Sequence, residues 1–242
     1  MPKSPVEPTP LLAFGAHPDD IEFGCGGVVA LETLSGRSTL FVICSRGESA
    51  TNGTPKQRQS EAANAAKLLG ASLEWLTLDG DAKLEIKVAH TLKLAAVIRR
   101  QKPAIVLAPS CAPNQHPDHF RLGQMVRDAA RLARYGGVKE LQKLPPHSIA
   151  HLLFYAVTAE AEPLDISPIL VDVSDQQVLA AWTNAMRAHA SQLRTRDYVE
   201  LQLMRARLWG HRAGVTHAIP LFPNDPPVLN SLSLLGRGAR QF

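Results

Sequence analysis

The chain has 242 residues, 45% of them hydrophobic, which is enough to bury the core of one large α/β domain. Its 26 Lys and Arg against 22 Asp and Glu leave a formal net charge of +4 that is spread along the chain and argues against nucleic-acid binding. The densest basic patch, Arg99-Arg100 with Lys102, is typical of a helix end, where cations complement the helix dipole.

Cysteine usage and the lack of long apolar segments predict a cytoplasmic protein. The three cysteines are widely spaced, with no CxxC pair, which is typical of a reducing compartment rather than of a disulfide framework. The proline-rich residues 1–10 lack the apolar core of a signal peptide. No apolar run approaches the ~18 residues of a membrane span, so we expect no membrane-spanning segment.

The first 140 residues alternate between apolar strands and helices. Strands are predicted at 11–15, 38–44, 73–78 and 104–108, and helices at 26–35, 56–69, 86–101 and 120–135. This alternation predicts βαβ units and therefore an α/β, Rossmann-like, mostly parallel sheet with helices on both faces.

The second part of the chain is less regular and predicts a smaller C-terminal α+β extension. Strands are predicted at 147–157, 169–173 and 214–222, and helices at 175–192 and 197–209. We therefore expect one domain over 1–242, in which 1–140 form the core and 141–242 form the extension. Apolar residues in the tail, 229–235, are compatible with a homo-oligomer and equally with packing on their own domain.

Two clusters of histidine and aspartate follow predicted strands. His17-Pro18-Asp19-Asp20 comes directly after the first strand, and His116-Pro117-Asp118-His119 follows the fourth. Ligands of parallel α/β sheets bind beyond the carboxyl ends of the strands, where both clusters lie. One such cluster alone could be a turn with an aspartate cap, but two at strand ends predict a divalent metal site built from two loops.

The spacing of these residues suggests a ligand set. A catalytic zinc usually takes three protein ligands and keeps one open position. His17 and Asp20, three residues apart, can face one point from a single turn, and His119 can supply the third ligand from the neighbouring strand end. Two histidines and one aspartate suit Zn²⁺ and also Fe²⁺.

The remaining polar residues of the clusters have room for catalytic roles. Asp19 lies beside two ligand candidates, and a carboxylate next to a metal is a natural general base. His116 could stabilise an oxyanion or protonate a leaving amine. Asp118 could orient a histidine through its second ring nitrogen.

At these residues the sequence resembles the LmbE-like, or PIG-L, family of zinc-dependent N-acetylglucosamine de-N-acetylases. The resemblance covers nearly the whole chain. It is carried by 16–20 (AHPDD), 46–48 (RGE), Arg58 with Glu61, 116–119 (HPDH) and 189–192 (HASQ). Residues 145–147, 171–174 and 213–215 are most similar to the branch that deacetylates N-acetylglucosaminyl malate in bacillithiol synthesis.

The resemblance implies a reaction and a set of site residues. The reaction would be metal-dependent hydrolysis of the acetamide of an N-acetylglucosaminyl conjugate, releasing acetate and a free amine. The implied zinc ligands are His17, Asp20 and His119, with Asp19 as general base and His116 facing the developing oxyanion.

The resemblance also implies how the sugar conjugate would be bound. Arg58 would contact the sugar or its aglycone, and an aspartate after the third strand, either Asp79 or Asp81, would bind a sugar hydroxyl. Gln115 stands where the bacillithiol branch often has arginine, so it is expected where the aglycone is recognised.

Two other functions are compatible with the sequence. The metal site could hydrolyse the amide of a different N-acylated small molecule. Alternatively, the chain could be a non-catalytic sugar- or nucleotide-binding module, although 24–27 (GCGG) comes too late after the first strand to be a GxGxxG fingerprint.

Overall fold

The computed structural model describes residues 9–229, together with 231, 232, 235 and 238. The strands are β1 Leu11–Gly15, β2 Thr39–Ile43, β3 Ser72–Trp75, β4 Ile105–Pro109, β5 His151–Tyr155, β6 Ile169–Asp172 and β7 Ala218–Pro223. The helices are α1 Asp20–Leu34, α2 Pro55–Leu68, α3 Val88–Gln101, α4 Pro117–Arg134, α5 Gln176–Ala188 and α6 Tyr198–Ala213.

The seven strands form one sheet in the order β3-β2-β1-β4-β5-β7-β6. The first five pair in parallel, whereas β7 runs antiparallel to both β5 and β6. The predicted α/β fold with a mostly parallel sheet is therefore confirmed, and the C-terminal part of the chain extends that same sheet. Strand order reverses between β1 and β4, which makes their carboxyl ends a topological switch point.

Alternate side chains of each strand enter opposite layers of the core. Leu11 and Ala13 of β1 join a buried cluster with residues of α1, α2, α5 and α6. Leu12 and Phe14 join a second cluster with residues of α3 and α4. Because both faces of the sheet are covered, the strands are apolar on both sides, and short apolar runs such as 11–15 therefore predict buried strands correctly.

Helix α1 begins at Asp20, but its backbone departs from helical geometry at Cys25 (φ −148°, ψ 17°), so the segment after this kink starts at Gly26, where the sequence predicts a helix start. Its glycines lie inside the helix, where an added Cβ would overlap the Tyr155 ring at Gly24 and come within 2.7 Å of the Trp182 ring at Gly26. The Trp182 ring is anchored, since its Nε1 donates to the Glu22 carbonyl at 2.7 Å, and the Tyr155 hydroxyl donates to the Phe14 carbonyl at 2.7 Å. The glycines on either side of the kink therefore permit close packing against these two rings.

Other predicted boundaries shift for local reasons. Helix α4 begins at Pro117 rather than at residue 120, because proline is well suited to a first helical position and His116 serves as the N-cap. Strand β5 begins at His151 rather than at 147, since its ladder with β4 starts where His151 faces Ile105.

The basic patch at the end of α3 is largely structural. Arg99 is 1% exposed, and its guanidinium donates to the carbonyls of Ala133, Leu141 and Tyr135 at 2.6–2.9 Å. It therefore satisfies carbonyls at the end of the neighbouring helix α4 and just beyond it, rather than complementing only its own helix.

Among the described residues, no helix combines the length and the apolar character that crossing a membrane would need. In the tail, residues 230, 233 and 234 lie outside the described set, whereas Leu229, Leu232 and Leu235 are exposed. Self-association through 229–235 stays a prediction.

Replacing Gly24 by alanine is expected to destabilise the fold by about 1–3 kcal/mol, because the new methyl group would overlap the buried Tyr155 ring. Urea denaturation measures this difference. Gly137→Ala is the matched control, since an added Cβ there meets nothing within 4 Å. A Gly24→Ala stability within about 0.5 kcal/mol of the wild type would contradict the packing argument.

Candidate metal centre

The two histidine–aspartate clusters meet at the switch point of the sheet. Strands β1 and β4 are direct neighbours, so the chain leaving each at its carboxyl end enters the same space. His17 follows β1 within two residues, and His119 lies in the first turn of α4. Both imidazoles are buried, at 7% and 8% exposure, which keeps bulk water from competing for their nitrogen atoms.

Potential ligand atoms of three residues lie close together here, with the two oxygens of the Asp20 carboxylate facing one histidine each. His17 Nδ1 lies 3.1 Å from His119 Nε2 and 3.7 Å from Asp20 Oδ2, and Asp20 Oδ1 lies 2.9 Å from His119 Nε2. Ligand atoms bound at about 2.0 Å to a tetrahedral ion would lie about 3.3 Å from one another. The donor set and its spacing therefore fit one divalent metal ion.

The Asp20 carboxylate is held in place by the loop that carries it. Its Oδ2 accepts hydrogen bonds from the backbone amides of Ala16 and His17 at 2.8 and 2.9 Å. Burial opposes its ionisation, but His119 and His17 outweigh burial and hold the pKa of Asp20 well below its ordinary value. The carboxylate is therefore ionised, with Oδ1 directed to His119.

Two other triples of residues each offer one ligand atom per residue, with these atoms all within 4.8 Å of one another. They are His17 with His116 and His119, and His17 with Asp81 and Asp118. In the first, His116 is exposed and its Nδ1 already accepts the Asp118 amide at 3.2 Å. In the second, both carboxylates face Nε2 of His17, the ring nitrogen opposite the one that faces Asp20. Both triples are therefore alternative ligand sets, and each shares His17 with the set of His17, Asp20 and His119.

Asp19 has a strained backbone and a largely covered carboxylate. Its φ of 109° lies in the left-handed region that non-glycine residues rarely adopt. Arg58 Nη2 donates to the carbonyl of Pro18 at 2.6 Å and to Asp19 Oδ2 at 3.1 Å. These two hydrogen bonds hold the strained backbone at Asp19 in place. Burial raises the pKa of Asp19 to about 6 against the opposing charge of Arg58, a value suited to proton transfer near neutral pH.

Arg58 is placed by its packing. It is 4% exposed and lies against Gly47, where any Cβ would overlap the guanidinium. Its helix α2 begins after Thr54, whose side chain accepts from the Gln57 amide. The arginine that the resemblance implies as a sugar contact therefore uses Nη2 to bind Pro18 and Asp19, and its Nη1 lies 3.9 Å from Asp81 Oδ2.

His116 stands at the mouth of the cluster. Its ring centroid lies 4.7 Å from that of His17 and 5.3 Å from that of His119. Partial burial, followed by the charges of His17 and His119, lowers the pKa of His116, which favours the neutral ring. Because Nδ1 accepts the Asp118 amide, the neutral ring carries its proton on Nε2 and can donate from there.

The structure distinguishes the two aspartates that follow β3. Asp79 bonds Lys87 Nζ at 2.8 Å and His90 Nε2 at 2.9 Å, away from the metal cluster. Asp81 is 6% exposed, and its Oδ1 lies 3.1 Å from His17 Nε2. Only Asp81 is brought into the cluster.

Gln115 folds back on its own loop. Its side-chain amide donates to the carbonyls of Ser110 and Ala112, at 2.7 Å in both cases. These contacts fix the loop between β4 and α4. They engage the side-chain nitrogen of Gln115, which would otherwise be available to an aglycone, whereas its Oε1 is buried without a hydrogen-bond partner among the described residues.

A buried charged pair beside Asp19 is not evident from the sequence. Glu22 and His189 are both 0% exposed, and His189 Nε2 lies 3.2 Å from Glu22 Oε1. The predicted helix 175–192 ends at Ala188, so 189–192 form a turn that reaches back to α1 and α2. In the sequence, the available signal is that Glu22 stands between the apolar residues Ile21 and Phe23. The family resemblance over 189–192 includes its partner His189 but implies no role for it.

The part of the chain that carries both histidine–aspartate clusters matches a known protein family. The model for the PIG-L family, described as GlcNAc-PI de-N-acetylase, matches residues 12–130, which include both histidine–aspartate clusters. A crystal structure of a conserved protein from Thermus thermophilus is 33% identical, with a TM-score of 0.78 over 91% of this chain and 96% of that one. The chain belongs to the PIG-L family of deacetylases.

Curated relatives of this PIG-L family member include two kinds of enzyme. Diacetylchitobiose deacetylase of Thermococcus kodakarensis is 28% identical over 194 residues, 75% of this chain and 69% of the relative. The 4-oxalmesaconate hydratase of Pseudomonas putida is 32% identical over 146 residues, 55% of this chain and 56% of the relative. The expectation that this chain is a deacetylase-type enzyme is confirmed at the level of the family, and the identity of its substrate is a separate question.

Proposed function

We propose that this protein is a metal-dependent hydrolase of the acetamide of an N-acetylglucosaminyl conjugate. The observation that carries the proposal is the convergence of His17 Nδ1, His119 Nε2 and the Asp20 carboxylate, with Asp19 beside them. These three residues are proposed as the metal ligands. Zn²⁺ is the proposed ion, and Fe²⁺ suits the same donors.

The proposed mechanism uses Asp19 as the base. A divalent ion, when bound, supplies Lewis acidity that polarises the acetamide carbonyl and activates water. Asp19 takes a proton from the attacking water, and a new C–O bond forms at the carbonyl carbon. Arg58 keeps the Asp19 carboxylate directed into the site through their 3.1 Å contact, so that the base does not have to be ordered during each turnover.

His116 acts on the oxygen and nitrogen atoms of the scissile amide. Its Nε2–H donates to the oxyanion that develops on the carbonyl oxygen, and Asp118 holds the ring through its backbone amide. The C–N bond then breaks, and its electron pair leaves with the nitrogen. Asp19 or His116 returns a proton to this amine, so the products are acetate and a free amino sugar.

The proposed substrate class follows from the family and from the relative named diacetylchitobiose deacetylase. N-acetylglucosaminyl malate, the substrate implied by the sequence likeness over 145–147 and 171–174, is the finer candidate. Gln115 stands where that branch often has arginine, and its side chain bonds its own loop. Because glutamine carries no charge, the malate carboxylates would have to bind a cation elsewhere in the site.

A substrate panel tests the proposal. Purified protein of measured zinc content is incubated with N-acetylglucosaminyl malate, N,N'-diacetylchitobiose and N-acetylglucosamine, and released acetate is quantified. We expect zinc-dependent release from at least one glucosaminyl conjugate and lower kcat/KM for the simple sugar. Zinc-loaded protein that releases acetate from none of them would contradict the proposed function.

A second candidate is hydration of a carbon–carbon double bond, favoured by the 32% identity to the 4-oxalmesaconate hydratase. A metal ion, a base and an activated water would serve that reaction as well. NMR detection of water addition to 4-oxalmesaconate, with no acetate release in the panel, would favour the hydratase.

Replacing His116 by alanine is expected to lower kcat about 10²–10³-fold while zinc content stays unchanged. The ring would be lost as an oxyanion donor, whereas the three proposed ligand atoms would remain. Metal analysis beside steady-state kinetics separates the two effects. Zinc content that falls in parallel with activity would instead make His116 a ligand, as one of the alternative triples allows.

A further inference from the structure

The ring nitrogen of His17 that faces away from Asp20 lies between two carboxylates. His17 Nε2 is 3.1 Å from Asp81 Oδ1 and 3.2 Å from Asp118 Oδ2. Asp81 is 6% exposed and Asp118 is 1% exposed, so water does not replace either contact. A single N–H on this nitrogen can therefore be shared between two buried acceptors.

Asp81 is held by the backbone of a neighbouring loop rather than free to meet a ligand. Its Oδ2 accepts the Ser49 amide at 3.1 Å, and its own carbonyl accepts Ser49 Oγ at 2.9 Å. Its amide in turn donates to Glu48 Oε2 at 3.1 Å. These reciprocal bonds join the loop after β2 to the loop after β3 and fix the Asp81 carboxylate against His17.

The second carboxylate is supported from the same loop. Ala82, with φ of 61°, has the left-handed conformation that alanine rarely adopts, and its amide donates to Asp118 Oδ2 at 2.7 Å. The strained turn thus places an amide on Asp118 while the preceding residue, Asp81, reaches His17. Strain of this kind persists only where surrounding contacts enforce it.

We infer that Asp81 is a positioning residue for the metal ligand His17, acting together with Asp118, rather than a ligand for a sugar hydroxyl. The inference rests on the proposed function in one respect, namely that His17 binds the metal. Two carboxylates on Nε2–H fix the tautomer and the rotation of the ring, so the lone pair of Nδ1 faces Asp20 and His119. Carboxylates that orient a histidine in this way also make it a stronger metal ligand.

The test is the zinc affinity of Asp81→Asn, measured by competition with a chromophoric chelator in the absence of substrate. The variant keeps the size of the side chain but loses the charge that His17 faces. We expect affinity to fall about 10–100-fold. At saturating zinc, KM for a substrate that the wild type hydrolyses should stay within about twofold, because no substrate contact is lost.

Asp79→Asn is the matched control. It changes the same residue type two positions earlier, in a side chain that bonds Lys87 and His90 instead of His17. Its zinc affinity should equal that of the wild type. Thermal melts check folding, and Asp81→Ser, which keeps an acceptor for the Ser49 amide, replaces the asparagine variant in the same assay if that variant does not fold.

A double-mutant cycle with Asp118→Asn adds a second criterion. Because both carboxylates face one N–H, their effects on zinc affinity should be non-additive. Unchanged zinc affinity in Asp81→Asn, accompanied by a raised KM, would overturn the inference and return Asp81 to sugar binding. Absence of acetate release by the wild type would contradict the proposed function alone, since zinc affinity is measured without substrate.

Discussion

Asp19→Asn is expected to lower kcat for acetate release about 10²–10⁴-fold, the usual contribution of a general base. The amide cannot take the proton of the attacking water. Zinc content should stay at the wild-type level, because the converging ligand atoms belong to His17, Asp20 and His119. The fold should also persist, since Asn tolerates the left-handed backbone that Asp19 adopts at φ 109°. Steady-state kinetics with metal analysis of the same sample measure both quantities.

Asp128→Asn provides the matched control for this experiment. Asp128 lies on α4 with its side chain 53% exposed and is 3.6 Å from Arg131, an exposed pair that contributes little. Its variant should retain wild-type turnover. If Asp19→Asn kept substantial activity, Asp19 would not be the base, and if it lost zinc, Asp19 would belong to the ligand set.

The parallel core of the fold is predictable because its signals are local. A short apolar run such as 11–15, bounded by Pro10 and a polar cluster, reports a buried strand without reference to the rest of the chain. Strand alternation then places the ends of β1 and β4 together, and so predicts that His17 and His119 meet. Each of these inferences needs only neighbours in sequence and a general rule of sheet topology.

The start of α1 is not predictable in the same way. The helical residues 20–24 precede the predicted helix 26–35, and Gly24 and Gly26, on either side of the kink at Cys25, fit against Tyr155 and Trp182, which come more than a hundred residues later. Helix propensity disfavours these glycines, and tertiary packing overrides it. Because Tyr155 and Trp182 are distant in sequence, this packing cannot be predicted from the residues next to the glycines.

The side-chain roles within the site divide in a similar way. The spacing of His17 and Asp20 allows a common focus to be predicted. The choice between Asp79 and Asp81 depends on Ser49 and His90, which come from separate elements. The burial of Arg58 cannot be predicted from the sequence either, so its hydrogen bond to Asp19 is evident only from the structure.

His189→Ala is expected to destabilise the protein by about 3–5 kcal/mol near pH 6, because it leaves the Glu22 carboxylate buried without a counter-charge. His189 Nε2 lies 3.2 Å from Glu22 Oε1, and within the described residues neither carboxylate oxygen of Glu22 accepts a hydrogen bond. Burial opposes protonation of His189, but the charge of Glu22 outweighs it and raises the pKa of His189. Urea denaturation of the wild type and the variant measures the difference in the free energy of unfolding.

The pH dependence of that difference identifies its cause. A histidine whose pKa is higher in the folded state stabilises the fold fully below its unfolded pKa of about 6.5, and the contribution is lost as pH rises through the folded pKa. The stability difference should therefore be larger at pH 6 than at pH 9. The double variant Glu22→Leu, His189→Leu removes both charges and should recover much of the loss, since apolar replacement of a buried ion pair is often close to neutral. A pH-independent difference that the double variant does not reduce would mean that His189 stabilises the fold through packing against Phe23 and not through its charge.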